Sequence, residues 1–140
     1  MALQTEPIVK AQMLIRRPVA EVFEAFIDPA ITTRFWFTKS SGRLEPGKQV
    51  RWDWEMYGVF ADVDVKAVEP NRRILIEWDD PPTRVEWTFT AHPHGTTLVV
   101  ITNEGFSGED EAIAAQAIDS MGGFTLVLAG AKALLEHGVE

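Results

Sequence analysis

The side chains in this sequence that could move protons or hold a metal are carboxylates, three histidines and a few hydroxyls. Their spacing decides what they can do. His92-Pro93-His94-Gly95 has an H-x-H spacing, which on a strand would turn both imidazoles to one face. Proline and glycine break a strand there, and no third ligand stands nearby in sequence, whereas a bound metal needs three or four ligands with a supporting shell. The segment is expected to be a hairpin turn, and neither a metal nor another cofactor is expected. Asp53, Glu55, Asp62, Asp64, Glu77, Asp79 and Glu86 fall opposite the apolar rows, interleaved with Arg51, Lys66, Arg73 and Arg84. That is the pattern of a solvated sheet face, whereas a general acid needs a desolvated carboxyl with a shifted pKa. Ser40, Ser41, Ser107 and Ser120 have no evident histidine partner for a hydrolytic triad. No catalytic residue is assigned.

The aromatic residues say more. In RWDWEMYG, residues 51–58, Trp52 and Trp54 stand two apart. On a strand they share one face with Val50 and Met56, while Arg51, Asp53 and Glu55 take the other. Trp78, Trp87 and Phe89 reach the same inner face by the same alternation. Such a face is either ordinary core, since each aromatic side chain buries about 150–250 Å², or the wall of a cavity. Few polar residues turn inward: Thr97, Asn103 and Thr125. Asn103 either orients a ligand or ties down the loop before Gly105, and the sequence leaves both open.

The elements that must position these residues follow from the period of the apolar residues. IVKAQMLI (8–15) is expected to be a first strand. Val19, Val22, Phe23, Phe26 and Ile27 then repeat at helical spacing, with Pro18 suited to the first turn. Asp28-Pro29 reads as a cap followed by an N1 proline, opening a second short helix toward Phe35. EPGK (45–48) marks a turn. From Gln49 to Glu104 the period is two, with inner rows Val50/Trp52/Trp54, Val59/Ala61/Val63/Val65, Ile74/Ile76/Trp78 and Val85/Trp87/Phe89. Turns near Gly58, at EPNR, DDPP and HPHG separate these rows, which predicts an antiparallel meander ending in TTLVVIT. A C-terminal helix is expected from Asp110 to His137, with Ala117, Met121, Phe124, Leu128, Ala131 and Leu135 as its apolar stripe. Gly122 and Gly123 interrupt that stripe and call for a reason, either close packing or volume left for a ligand.

Length and charge bound the function. One domain over 1–140 is expected. Thirteen basic against twenty-one acidic residues give a net charge of −8, which argues against nucleic acid as a partner. Cysteine is absent, so disulfides and thiol chemistry are excluded. No signal-peptide pattern and no uninterrupted run of eighteen apolar residues are present, so no membrane partner and a cytoplasmic location are expected.

The order of strand, two short helices, antiparallel strands and one long helix, with particular segments, resembles the START-like (SRPBCC, helix-grip) superfamily. Within it, the chain is similar to the bacterial group related to the C-terminal domain of the activator of the heat-shock protein 90 ATPase. The segments are PVAEVFEAFIDP (18–29), RFWF (34–37), GRLEPGKQVRW (42–52), GTTLVVITNEGF (95–106) and GGFTLVLAGAKALLE (122–136). The resemblance implies an α+β helix-grip fold: a curved antiparallel sheet wrapped around the C-terminal helix, with two short helices after the first strand and an apolar cavity between. Superfamily members use that cavity for lipids, polyketides, hormones or aromatic compounds. Where many relatives carry histidine in T-H-x-G-[FW], this chain has Asn103 in TNEGF, which removes whatever proton chemistry that histidine supports.

Geometry agrees with a cavity. About six strands at ~4.8 Å spacing make a sheet near ~29 Å wide, whereas a helix is only ~10–12 Å across. The expected lining is Trp36 after the short helices, then Trp52, Trp54, Val63, Trp78, Trp87 and Phe89 from the strands. Asn103 closes the last strand, and Met121, Phe124, Thr125 and Leu128 come from the helix. The expected function is binding of a small hydrophobic or aromatic ligand. The alternatives are a cyclase- or dehydratase-like enzyme, or a module that contacts a chaperone and regulates its ATPase. The larger activator carries a separate N-terminal domain that 140 residues leave no room for. The sequence does not specify an oligomeric state.

Overall fold

Alternation and helical periodicity become visible as elements in the computed structural model, which describes residues 8–78 and 82–139. They are β1 (Val9–Ile15), α1 (Val19–Ile27), α2 (Pro29–Thr32), β2 (Lys39–Ser40), β3 (Gln49–Trp54), β4 (Val59–Glu69), β5 (Arg73–Trp78), β6 (Thr83–His92), β7 (Thr96–Glu104) and α3 (Asp110–His137). The strands form one antiparallel sheet in the order β1-β7-β6-β5-β4-β3-β2. This is the α+β helix-grip architecture, a curved sheet with a long C-terminal helix and short helices after the first strand.

Local chemistry explains the joints. Asp28 ends α1 and caps α2, accepting a hydrogen bond from Ala30 N at 3.0 Å, with Pro29 as the first helical residue. Thr32 Oγ1 then donates to Ala25 O at 2.6 Å and fastens the two short helices together. His94 and Gly95 adopt φ of 65° and 69°, so HPHG is the turn between β6 and β7, and His92 pairs across it with Thr96. The expected DDPP turn falls partly on residues 79–81, outside the described residues.

Four features differ from the sequence reading. β2 is an additional strand whose two residues are too few to show alternation; it pairs Ser40 with Trp52. β3 ends at Trp54, and a 3₁₀ turn over Glu55–Tyr57 closes on Gly58 at φ 62°. Met56 is therefore exposed rather than on the inner face, and Val59, which opens β4, is exposed too. In β4 the register shifts between Val65 and Ala67, a bulge that changes the phase and sets Val68 opposite Ile74.

The fourth difference is the rotation of α3. Its buried residues are Phe124, Val127, Leu128, Ala131 and Leu134, while Met121, Leu126 and Ile118 are exposed. Between Ser120 and Ala131 the helix is uncharged on every side, so periodicity alone does not mark one face. An 18-residue window has a mean hydropathy of 1.4, long and apolar enough to cross a membrane by length and composition. Counting only unbroken apolar runs missed that property. Here one face of α3 completes the core instead.

The C-terminal end of α3 is fastened to the loop after β1. The Glu136 side chain, 4% exposed, accepts from Arg16 N at 2.9 Å and Arg16 Nε at 3.2 Å, and also from Lys132 Nζ. Lys132 Nζ donates onward to Leu14 O at 2.7 Å, and Arg17 Nε donates to Leu135 O at 2.7 Å. Burial works against the Glu136 carboxylate, but the hydrogen bonds from Lys132 and Arg16 outweigh it and hold its pKa at about 2. Gly130 makes the adjoining close approach: a Cβ there would lie 3.1 Å from Phe35 O and 3.4 Å from Phe35 Cβ. Gly122 and Gly123 have nothing within 4 Å of an added Cβ, so close packing does not explain them.

Two stability predictions follow from this geometry. A carboxylate whose folded pKa is depressed gives stability that is present above its unfolded pKa and lost as pH falls through the folded value. Urea unfolding should show that loss between the reference value of 4.5 and about 2. Glu136→Gln should destabilise by about 1.5–3 kcal/mol at neutral pH and flatten the acid limb; an unchanged limb would assign it to other carboxylates. Gly122→Ala should stabilise by roughly 0.8–1.0 kcal/mol, whereas Gly130→Ala should destabilise by roughly 1–3 kcal/mol, because a carbonyl blocks the new methyl. Thermal melts that ranked the two glycines the other way would contradict the packing described.

Candidate functional site

The core beneath α3 is built on rings. Trp36, in the segment after α2, sits 4.9 Å from Trp52, 6.2 Å from Trp54 and Trp78, 6.1 Å from Trp87 and 6.0 Å from Phe124, centroid to centroid. Phe37 stacks on Trp52 at 4.5 Å, and Phe26 joins Trp87 to Phe89. Edge-to-face and offset contacts of this kind hold aromatic groups in fixed relation. They also occupy most of the space that the width of the sheet left between it and the helix.

What stays open is a cleft of about 350 Å³ between the N-terminal half of α3 and the near ends of β5 and β7. Trp36, Trp78, Phe106, Phe124 and Val127 supply its apolar walls; Asn103, Gln116, Asp119, Ser120 and Gly123 complete it. Of the expected lining residues, Trp36, Trp78, Asn103 and Phe124 meet there. Trp52, Val63, Trp87, Phe89 and Leu128 are buried in the packed core and take no part in the cleft wall. Trp54 is half-buried at the margin of the cluster, against Trp36 and Phe37.

Met121 and Thr125 require correction. Both are exposed, and Thr125 Oγ1 donates to Met121 O at 2.7 Å along the helix itself. The stripe that faces the cleft runs through Gln116, Ser120, Gly123, Phe124 and Val127, one position away from the expected phase. Ser120 and Gly123 were the available signal: small residues at i, i+3 beside Phe124 leave room on one face. Phe106, in the loop after β7, carried no periodic signal at all.

Of the two roles left open for Asn103, its hydrogen bonds are those of a structural tie. Its Nδ2 donates to Arg84 O at 2.8 Å and Thr83 Oγ1 at 3.2 Å, and its Oδ1 accepts from Ser120 Oγ at 2.8 Å. The amide thus ties β7 to the start of β6 and to α3, and its edge forms part of the cleft. An amide has no proton to give at neutral pH. Thr97 is buried but donates to Arg17 O at 2.8 Å, away from the cleft. Asp119 is the single ionisable side chain among the described lining residues.

The other candidates lie elsewhere. Arg51 pairs with Asp53, Arg73 with Glu69 and Glu86, and Arg84 with Glu104, on the outer face of the sheet. Among the described residues no three histidines, cysteines or carboxylates gather as a metal site, and His92 and His94 are exposed in their turn. Asp79 lies outside the described residues. Among the described residues, two buried side-chain groups have no protein partner, the indole Nε1 of Trp78 and of Trp87.

Comparison with known proteins places this geometry. Among solved structures, the protein SSP2350 from Staphylococcus saprophyticus is 31% identical, with a TM-score of 0.82 over 95% of this chain and 94% of that one. The Aha1 dimer from Colwellia psychrerythraea is 15% identical, with a TM-score of 0.78 over 94% of this chain and 98% of that one. DynU16, from the dynemicin biosynthetic locus, is 24% identical with a TM-score of 0.78; the match spans 94% of this chain and 48% of that one. The last two show a shared fold. No curated protein matches the chain in sequence. The model of the family described as Activator of Hsp90 ATPase homolog 1-like protein matches residues 16–136, from the end of β1 nearly to the end of α3. The chain therefore belongs to that family, within the START-like SRPBCC superfamily.

Proposed function

We propose that the domain binds a small, predominantly aromatic hydrophobic molecule in the cleft between α3 and the sheet. The cleft itself carries the reading. Its volume of about 350 Å³ lies at the lower end of the range for small-molecule sites, and its apolar walls surround a few fixed polar groups. The fold shared with DynU16 fits a ligand-holding role. Catalysis of the cyclase or dehydratase kind has weaker support, because the residues available to move a proton reduce to Asp119 at an exposed position.

A second reading, contact with a chaperone, is favoured by a different surface. Met56, Tyr57, Val59 and Phe60 are all exposed at the tip joining β3 and β4, an apolar patch of the kind that partner proteins cover. Replacing Tyr57 and Phe60 with alanine should weaken any binding to a heat-shock protein 90 and leave ligand affinity unchanged. Wild-type protein that fails to bind such a chaperone in solution would dispose of this reading.

The ligand reading is tested by filling the cleft without disturbing the core. Gly123 lines the cleft and has open space around it, so Gly123→Leu should keep or raise the melting temperature while reducing ligand affinity more than about tenfold. Binding is followed by tryptophan fluorescence against a panel of aromatic and acyl compounds. Arg51→Ala, on the outer face, should leave affinity unchanged. A ligand that binds the Gly123→Leu variant as tightly as the wild type would move the site elsewhere.

A further inference from the structure

Trp78 and Trp87 stand on neighbouring strands, β5 and β6, and each holds a buried indole N–H that donates to no described protein group. Buried polar groups without partners are rare in folded proteins, and a buried tryptophan ordinarily finds an acceptor for its N–H. Two such donors beneath the same pair of rings are a chemical feature of the site. Phe124 lies 5.9 Å from Trp78 and 6.2 Å from Trp87; Trp36 lies 6.2 and 6.1 Å from them. Trp36, Trp78 and Phe124 also form the wall of the cleft. The unpaired donors therefore belong to rings that the cleft reaches once Phe124 or Trp36 gives way.

Phe124 is the ring best placed to do so. It follows Gly122 and Gly123, neither of which serves close packing. Each glycine weakens a helix interior relative to alanine, so the turn preceding Phe124 is where α3 yields most readily.

We propose that the ligand of this cleft is an uncharged aromatic molecule bearing a hydrogen-bond acceptor, such as a ring carbonyl, that displaces Phe124 and accepts from Trp78 Nε1. The proposal rests on the cleft being the ligand site and adds what the ligand must carry. No described protein group accepts from this donor, so an acceptor on the ligand gains a hydrogen bond that the protein does not supply. A larger ligand with a second acceptor would reach Trp87 Nε1 on the next strand. Asp119 in the lining and a net charge of −8 both oppose a carboxylate ligand.

The test uses 9-fluorenone and fluorene, tricyclic probes of nearly the same shape that differ by one carbonyl. Fluorenone should bind at least about fivefold more tightly than fluorene. In the ¹⁵N-labelled wild-type protein, the Trp78 indole resonance should move downfield with fluorenone and not with fluorene. Trp78→Phe should bring the affinity ratio close to one, because the two probes experience the lost ring volume alike. Trp54→Phe, outside the cleft, should leave the ratio as it was. Equal affinities of the two probes for the wild type, or a Trp78 resonance indifferent to the carbonyl, would overturn the acceptor requirement while the hydrophobic site stood. Failure of both probes to bind would remove the site and the requirement together.

Discussion

A single helix cannot cover a seven-stranded sheet, and most of this domain's architecture answers that mismatch of widths. The gap is taken up by Trp36, whose ring reaches β3, β5, β6 and α3 at once through Trp52, Trp54, Trp78, Trp87 and Phe124. Nothing in its own short segment would hold it there. α1 and α2, fastened by the Asp28 cap and the Thr32 hydroxyl, deliver it to the end of the sheet. The cleft is the remainder of the same mismatch, the part of the gap that this ring cluster does not fill.

Strand alternation was readable because it is a binary signal. Val50 and Trp52, Ile74 and Ile76, Val85 and Trp87 all turn inward as their spacing requires, and the residues between them are polar apart from Leu75. The reading failed where that contrast, or the strand itself, ran out. Met56 follows Trp54 at the right interval, but the chain has already left the strand. On α3 apolar residues occur on every side, and a rotation of one position separates Ser120, which meets Asn103, from Met121, which meets solvent. The candidate site inherited that error: of the strand-borne aromatics expected in the lining only Trp78 reaches the cleft, and the helix-borne Ser120 and Gly123 were not anticipated. The division of those aromatics between wall and filled core depends on ring packing in three dimensions, which no one-dimensional pattern carries.

Asn103 shows how the polar part of the site is constrained. Its amide satisfies three partners from two elements, Thr83 and Arg84 of β6 and Ser120 of α3. A side chain so committed holds the cleft's shape. Chemistry that needs a mobile proton has little to work with here, whereas recognition by shape and by a fixed donor has a rigid frame.

The sheet order has a consequence for how the domain comes into being. β1 is the first strand made, yet it pairs only with β7, matching Val9 to Asn103, and α3 then packs along it. During synthesis the first strand emerges without its neighbour, and the hairpins from β3 to β7 can form before it has a place to go. Closing that longest loop late is entropically demanding and makes this pairing a slow event by comparison with local hairpins. The Arg16 and Arg17 contacts to the last turns of α3 belong to the same long-range closure, joining residues 120 and 118 positions apart in sequence.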